Sequence, residues 1–357
     1  MKKKIQVLAG LALGVALLWW LFRDTNWPAA WRAVQEADWK WLLAAELLVL
    51  ISFFTRVQRW VYIVRAVQPV RYRHLFSATQ IGFLANFVLP LRAGEVVRSA
   101  VLSRRSGLPF TKCFALVALD RVTDLFGLIV VMLVAAFAFH PEHAIQLPPD
   151  LLKTPVPANA IQVFAWGSAI TLTGIVAALV LLYVKQDLVL RLSDRILGLV
   201  SHKLAKRVHG LLAHFAQGMH VFRSAREMSL SISFSILTWI IGVYHYGFIL
   251  EAFHFNPPWY AGFVVMALMA VAISLPSTPG FVGPFHVAIV AAVLFTTPEA
   301  NADAARAAAI VAHLLNLLPI VVIGLYCLYT EQLGLLALRE EGEVEKPAVG
   351  EKIPDNV

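Results

Sequence analysis

The chain is poor in charged residues and in cysteine. Asp, Glu, Lys and Arg make up 15% of its 357 residues, and hydrophobic residues make up 59%. Soluble domains carry about a quarter charged residues. Because several apolar runs approach or exceed the ~20 residues that cross a bilayer, this composition predicts an integral membrane protein. The two cysteines, Cys113 and Cys327, fall near the same end of their predicted helices, which argues against a disulfide framework.

The sequence also lacks the motifs of the common nucleotide-binding proteins and hydrolases. It has no Ser-His-Asp pattern, no P-loop and no Rossmann fingerprint. No histidine pair has zinc-ligand spacing with a third ligand. The formal charge of +8 is grouped in loops between apolar runs, as membrane topology requires, which argues against nucleic acid as a partner. We therefore expect no metal, no cofactor and no catalytic residue.

Six apolar segments are predicted to cross the membrane completely. The first, Ile5–Phe22, exceeds the ~7–15 apolar residues of a signal peptide, so we expect it to stay uncleaved. A polar stretch with four tryptophans follows it and is predicted to lie at the interface. Arg56 and Arg59 fall in the last turns of the second span, where we expect them to reach the membrane surface. The remaining spans are Trp41–Val64, Lys112–Phe139, Ile161–Val184, Met228–Glu251 and Ala304–Thr330.

Two further apolar segments are interrupted by breaks that contain Pro and Gly. The first begins with the apolar stretch Leu75–Leu91 and turns within Asn86 to Arg98, and the second, Trp259–Phe295, breaks at Pro276–Gly280. If both are re-entrant hairpins, 22 of the 30 Lys and Arg residues face the inside and 5 face the outside. The positive-inside rule therefore favours two hairpins. The alternative for the second segment is a helix that is only kinked at its prolines.

The order span, hairpin, span occurs twice, in residues 41–139 and 228–330, with opposite predicted orientations. Such inverted repeats are common in secondary transporters. The predicted fold is therefore an all-α polytopic membrane domain over residues 1–330, with about six full spans plus two re-entrant helical hairpins. Residues 185–227 between the repeats are predicted to form basic amphipathic helices on the inner leaflet, and residues 331–357 a disordered tail. Both termini are expected to be cytoplasmic.

Charged residues cluster at the first break and within the third span. Asp120 lies about 12 Å along its predicted helix, close to mid-membrane. A charged group at that depth costs roughly 2.5–3.5 kcal/mol on insertion scales, so these groups must pair or face water. Three arginines balance three carboxylates, so a neutral network that only fastens the helices stays open as an alternative. The functional alternative is that an anionic phosphate competes for the arginine forks. The six residues are Arg92, Glu95, Arg98, Asp120, Arg121 and Asp124.

Helix ends and uncharged polar residues extend this candidate site. The second arm of each hairpin is predicted to begin near Gly94 and near Phe281, where free N–H groups would favour an anion. His286 could relay a proton, whereas His313 and Asn316 fit interhelical hydrogen bonding equally well. The breaks are assigned to Pro90, Pro276, Pro279 and Pro319. The uncharged substrate-binding candidates are Asn86, Gly94, Ser277, Thr278, Gly280, Gly283, His286, His313 and Asn316.

At these residues the sequence resembles the lysylphosphatidylglycerol synthase transmembrane-region family, also described as flippase-like. The resemblance covers about Ile5 to Thr330. The chain departs from the family pattern at Asp120, where many members have Glu, and at His286, near which many have Glu after the turn. The matching residues are Asn86, Leu89, Pro90, Arg92, Gly94, Glu95 and Arg98; Asp120, Arg121 and Asp124; Pro276, Pro279, Gly280 and Gly283; and His313, Asn316, Pro319 and Gly324.

The resemblance implies lipid translocation rather than lipid aminoacylation, because the sequence has no counterpart of the soluble aminoacyl-transfer domain of full-length synthases. We expect the substrate to be an anionic phospholipid or a polyprenyl-phosphate-linked intermediate, moved across a bacterial inner membrane. Two alternatives stay open: a membrane-embedded lipid-modifying transferase, whose general base the carboxylates could supply, and a scaffold for envelope-biogenesis partners. Membrane lipids are expected contacts, and a homo-oligomer is a further alternative.

Overall fold

A computed structural model describes residues 12, 14–89, 93–141, 144, 145, 147, 149, 154–198, 201, 202, 208–210, 212, 225–274 and 279–332. The chain is helical over nearly all of these residues. Five of the helices in this part of the chain are long and apolar enough to cross a membrane. These findings confirm the all-α polytopic membrane fold. Of the predicted first span, residues 12 and 14–22 are described, and residues 14–22 form helix α1.

Eleven further α-helices follow α1 in the described part of the chain. They are α2 (Trp27–Glu36), α3 (Trp39–Arg65), α4 (Tyr72–Val88), α5 (Gly94–Ser106), α6 (Phe110–Ala138), α7 (Ala158–Val184), α8 (Gln186–Gly198), α9 (Ala225–Ala252), α10 (Ala261–Ser274), α11 (Pro284–Thr296) and α12 (Ala302–Thr330), with a 3-10 turn at Pro279–Phe281 before α11. The five candidate spans are α3, α6, α7, α9 and α12.

All four helices of the two interrupted segments are shorter than a full crossing of the membrane requires. Helices α5, α10 and α11 have 13, 14 and 13 residues, and α4 has 17. At ~1.5 Å per residue, the three shortest are only about 20 Å long, against a hydrocarbon core of about 30 Å. The short helices occur as the pairs α4–α5 and α10–α11, and the two helices of each pair pack together. This is the helix–break–helix geometry that the sequence predicts at both Pro-Gly breaks.

The first hairpin is held together by close backbone contact. A Cβ atom added to Gly94 would lie 2.1 Å from the carbonyl oxygen of Gly82, so the two helices can approach only because residue 94 has no side chain. The backbone N–H of Gly94 donates to Oδ1 of Asn86 at 2.8 Å. Asn86 therefore closes the turn by capping the start of α5. Pro90 and Arg92 lie outside the described residues.

The second hairpin turns through glycines in the left-handed region. Gly280 has φ 67° and Gly283 has φ 96°, and any residue with a Cβ would be strained there. Helix α11 then begins at Pro284, a residue that suits the first position of a helix because its missing N–H would be unsatisfied anyway. Pro276, Ser277 and Thr278 lie outside the described residues.

The two span–hairpin–span units pack against each other reciprocally. Helices α3 and α9, which begin the two units, lie side by side. The first hairpin contacts α12 through α4, and the second hairpin contacts α6 through α10. Each hairpin therefore rests on the last helix of the other unit. The opposite orientation of the units stays a prediction.

The connecting segments differ from expectation in one place. The tryptophan-rich stretch after α1 folds in part as helix α2, because Asn26 accepts a hydrogen bond from the N–H of Ala29 and a proline stands in the first turn. Helix α8 forms within the predicted amphipathic linker. Of the proline-rich loop between α6 and α7, the described residues include an isolated bridge between Ile145 and Val156.

Candidate functional site

The predicted charged cluster forms a network, but its centre is a residue that the sequence analysis placed at the surface. Arg59 is 2% exposed. Its Nε lies 2.8 Å from Oδ1 of Asp120, and its Nη1 pairs with Oδ1 of Asp124. The expectation that Arg59 reaches the membrane surface is therefore wrong. It lies about two turns before the end of α3, and that part of the helix is enclosed by α6 and α9.

Arg98 reaches Asp120 from the first hairpin. Its Nη1 donates to Oδ2 of Asp120 at 2.7 Å, and its guanidinium carbon lies 3.6 Å from the ring centroid of Trp60. Asp120 is fully buried and so accepts from two arginines that lie on different helices. Because a buried carboxylate is stable only when its charge is compensated, Arg59, Asp120 and Arg98 act as one unit that joins α3, α5 and α6.

Helix α9 completes the network with uncharged groups. The indole N–H of Trp239 donates to Oδ1 of Asp124 at 3.0 Å, and the hydroxyl of Ser235 lies 3.3 Å from the carbonyl oxygen of Asp124. A Cβ at Gly127, one turn further along α6, would lie 2.2 Å from the ring of Trp239. The second unit therefore contributes directly to the charged site of the first.

The accessible edge of the network is formed by Arg121 and Glu95. Nη2 of Arg121 lies 3.0 Å from Oε1 of Glu95, and these side chains are 40% and 25% exposed. A longer contact of 3.7 Å joins Arg121 to Asp124. Arg56, half-buried one turn before Arg59, is within electrostatic reach of Asp124. An anion that entered the structure would meet Arg121 and Arg56 before it met Arg59 or Arg98.

Among the described residues, the ion pairs join three arginines to three carboxylates, with Arg59 in the place that the prediction gave to Arg92, which lies outside the described residues. Arg56 lies within electrostatic reach of this network as a fourth arginine. Its members are Arg56, Arg59, Arg98, Arg121, Glu95, Asp120 and Asp124, and we call them the charged network.

The turns of the two hairpins touch. The ring of Phe87, at the end of α4, meets the ring of Phe281 edge-on with 5.6 Å between centroids. A Cβ added at Gly280 would lie 3.5 Å from Phe87. The contact brings the break of one unit beside the break of the other.

Beside this contact, His286 and His313 form a hydrogen-bonded chain. Nε2 of His313 lies 2.9 Å from the carbonyl oxygen of Gly280, and its Nδ1 lies 3.3 Å from Nε2 of His286. Nδ1 of His286 lies 3.5 Å from the N–H of Gly283. One direction satisfies every atom: Gly283 donates to His286, His286 to His313, and His313 to Gly280. In this arrangement both rings are neutral, because an added proton would set two donors against each other. We call this group the imidazole chain.

Asn316 takes part in a separate interhelical link. Its amide nitrogen lies 3.0 Å from Nε2 of His245 and 2.8 Å from the carbonyl oxygen of Ala312. Nδ1 of His245 lies 2.9 Å from the carbonyl oxygen of Ala45. Asn316 thereby ties α12 to α9 and α3, which fits the interhelical interpretation of this residue. Pro319 lies one turn further along, inside α12.

Both interior helix starts are capped by side chains of the protein. Asn86 accepts from the first residue of α5, and His286 accepts from the residue that precedes α11. The predicted helix ends are present at Gly94 and near Phe281, but part of their donor capacity is already used. The arginine edge is therefore the better-placed anion contact among the described residues.

Sequence reasoning missed Arg59, Trp60 and Trp239 as members of this site. A signal for Arg59 was present: Arg56 and Arg59 are three apart in an apolar helix, and Asp120 and Asp124 are four apart in another. Each pair lies on one helix face. Two such pairs of opposite charge inside apolar spans indicate that the faces meet. Nothing in the pattern around Trp60 or Trp239 indicates their contacts.

The chain belongs to the lysylphosphatidylglycerol synthase TM region family, whose sequence model matches residues 7–324. It is 27% identical over 264 residues to a UPF0104 membrane protein of Methanothermobacter thermautotrophicus, covering 70% of this chain and 74% of that protein. It is also 27% identical over 139 residues to the UPF0104 membrane protein PH1989 of Pyrococcus horikoshii, covering 38% and 40%.

A third similarity is to a protein named for an enzymatic activity. The chain is 26% identical over 331 residues to the glycosyltransferase AglD of Haloferax volcanii, covering 87% of this chain and 52% of that protein. The chain thus spans about half the length of that relative. The family and the five apolar helices together establish a multi-pass membrane protein.

Proposed function

We propose that the protein translocates an anionic lipid, or a lipid-linked phosphate intermediate, across a bacterial inner membrane, with both of its termini in the cytoplasm. The observation that carries this proposal is the accessible edge of the charged network, where Arg121 is 40% exposed and lies 3.0 Å from Glu95. At this edge a phosphate could take the place of the Glu95 carboxylate on Arg121.

In this proposal, the members of the network have two roles. The buried group of Arg59, Asp120 and Arg98 holds α3, α5 and α6 in register. It also fixes the electrostatic field at the site. Arg121 and Arg56 contact the headgroup phosphate, because guanidinium groups bind phosphate oxygens in a bidentate way. Glu95 is the internal partner that Arg121 exchanges for the phosphate. Arg92 would add a further positive charge at the first break.

The arrangement of the hairpins supports the same function. Two short helix pairs that enter the membrane from opposite sides and meet at their turns would leave irregular backbone beside a polar cavity, which is where transporters bind substrate. The re-entrant, inverted arrangement is part of the proposal. Movement would be passive or coupled to an ion, without a chemical step on the lipid.

The test is a lipid-transfer assay in proteoliposomes. Fluorescent phosphatidylglycerol and phosphatidylcholine with the same acyl chains would be reconstituted with the protein, and reduction of the outer-leaflet dye would report transfer. We expect transfer of the anionic lipid, reduced at least about tenfold by Arg121→Gln through the loss of a charge-assisted contact. Arg195→Gln on α8, an exposed arginine outside the network, is the matched control.

Two outcomes would refute the proposal. If wild-type and Arg121→Gln proteins of equal thermal stability transfer lipid at the rate of empty liposomes, the protein is not a translocase under these conditions. If mass spectrometry instead finds a covalently changed lipid, the transferase alternative, which the name of the Haloferax relative favours, replaces it.

A further inference from the structure

A cavity with both polar and aromatic walls lies at the end of the molecule where α4 begins and α12 ends. It has a volume of about 600 Å³ and shares no residue with the charged network or the imidazole chain. The residues that matter here are Tyr72, Arg73 and His74 of α4, Arg105 of α5, and Glu331 directly after α12. We call it the terminal cavity.

Glu331 binds both ends of the first hairpin in this cavity. Its carboxylate pairs with Nε of Arg105 and lies 3.8 Å from Nδ1 of His74. Its carbonyl oxygen accepts from Nη2 of Arg105 at 2.9 Å. Arg105 lies in the last turn of α5 and His74 in the first turn of α4. One carboxylate therefore holds the open end of the hairpin against α12.

The cavity has more positive charge than Glu331 neutralises. Arg73 also lines it, and among the described residues no carboxylate pairs with Arg73. Helix α4 starts at the cavity, and its N-cap residue, Arg71, makes no capping hydrogen bond through its side chain. The positive end of the helix dipole therefore adds to the two arginines. A monoanion could be bound here in addition to, or in place of, Glu331.

One wall of the cavity is aromatic and faces outward. The rings of Tyr72 and Phe76 are 6.4 Å apart and stacked, and Phe54 lies 5.7 Å from Phe76. Phe54 is 57% exposed and Tyr326, on the other side, is 67% exposed. Tyrosines with one apolar and one polar end are characteristic of the membrane–water interface. Exposed aromatic rings next to two arginines, Arg73 and Arg105, match a ligand with an anionic head and hydrocarbon chains.

We propose that the terminal cavity binds the phosphate of an anionic phospholipid at the membrane surface, with Glu331 as the internal group that the phosphate displaces. Carboxylate and phosphate bind arginine through the same fork geometry, so they compete for Arg105. The aromatic wall accepts the first part of the acyl chains. Lipid binding then releases the link that Glu331 makes between the end of α12 and the first hairpin. This site does not depend on translocation, and it exists whether or not the charged network moves a lipid.

The test counts lipids bound to the full-length protein at equilibrium. Native mass spectrometry in detergent would follow titration with phosphatidylglycerol or phosphatidylcholine of identical acyl chains. We expect preference for phosphatidylglycerol, a loss of about tenfold in its affinity in Arg105→Gln, and a gain of roughly three- to tenfold in Glu331→Gln, since a charge-assisted competitor is removed. Arg104→Gln removes the same charge from the neighbouring residue, which does not line the cavity, and should change affinity less than about twofold.

Three results would overturn the proposal. Equal losses in Arg104→Gln and Arg105→Gln would mean that bulk surface charge attracts the lipid. An unchanged affinity in Glu331→Gln, with only a lower melting temperature, would mean that the carboxylate is a structural link alone. Displacement of the bound lipid by inorganic phosphate at equal concentration would assign the cavity to a soluble phosphate. If Arg105→Gln does not fold, Arg73→Gln provides the same comparison. Because binding and not transfer is measured, failure here leaves the translocation proposal untouched.

Discussion

The two units pair their buried polar groups in different ways. In the first, α3, α5 and α6 are joined by the fully charged group Arg59, Asp120 and Arg98. In the second, α11 and α12 meet through the neutral imidazole chain of His286 and His313. Loss of one partner of a buried ion pair lowers stability strongly, because an uncompensated charge stays buried. Loss of one partner of a neutral hydrogen bond lowers stability only modestly. The first unit is therefore the more vulnerable to single substitutions.

The largest expected effect is at Asp120. Replacing it with Asn leaves Arg59 and Arg98 buried without a carboxylate that bridges them, which should lower the free energy of unfolding by about 3–5 kcal/mol. Thermal unfolding in detergent, followed by tryptophan fluorescence, would measure this. Asp194→Asn on α8, whose partner His209 is 43% exposed, should change stability by less than about 1 kcal/mol. Similar values for the two variants would contradict the conclusion that the buried ion pairs of the first unit are vulnerable to single substitutions.

The next effect compares the close packing at Gly94 of the first hairpin with a glycine in open space on α7. Gly94→Ala places a methyl group within 2.1 Å of the carbonyl oxygen of Gly82, so α4 and α5 must separate at a cost of roughly 1–3 kcal/mol. Gly174 on α7 has no atom within 4 Å of an added Cβ, and Gly174→Ala should be neutral or stabilising by up to about 1 kcal/mol. Chemical unfolding of both variants would measure the difference. The close-packing interpretation is wrong if Gly94→Ala is as stable as wild type.

A smaller effect is expected in the imidazole chain. His286→Ala removes the acceptor for the N–H of Gly283 and the donor to His313, which should lower stability by about 1–2 kcal/mol. Because the rings are neutral in the satisfied arrangement, His286→Ala should lower the free energy of unfolding by less than Asp120→Asn does in the same unfolding assay. A loss of stability as large as that of Asp120→Asn would mean that the imidazole chain carries a charge.

The smallest expected effect on stability concerns the contact between α3 and α9, the first helices of the two units. The hydroxyls of Thr55 and Thr238 lie 2.8 Å apart and join α3 to α9. Hydrogen bonds between membrane helices average about 0.6 kcal/mol, so Thr238→Val should reduce stability by less than about 1 kcal/mol. A double-mutant cycle with Thr55→Val isolates the pair. A coupling above roughly 2 kcal/mol would show that this contact between α3 and α9, rather than the charged network, holds the units together.

Much of the fold follows from the sequence because apolar length and Pro-Gly breaks are local signals. The predicted span Trp41–Val64 is observed as α3, Trp39–Arg65, and the break before Gly94 is where α5 begins. Helix α2 was missed because its short amphipathic pattern was interpreted as an interfacial polar stretch. Capping by Asn26 is a local cue that would have identified it.

The site was predicted less completely because its partners come together only through tertiary packing. Arg98, Asp120, Arg121 and Glu95 were correctly grouped, since their spacing on two segments is visible in the chain. Arg59 was not, because its distance from the end of a span gives its depth but not the helix that it faces. His286 was identified from the sequence as a candidate after the second turn, but the direction of its hydrogen bonds required the positions of Gly280 and Gly283.

Contact between Phe87 and Phe281 has a mechanical consequence. A headgroup that crosses between the units must either pass around this aromatic plug or force the two rings apart, and the second route would make both hairpins swing together. Cysteines introduced at positions 87 and 281 would separate these routes. A crosslink that arrests lipid transfer indicates a gate that opens, and one that leaves it unchanged indicates a fixed groove along its flank.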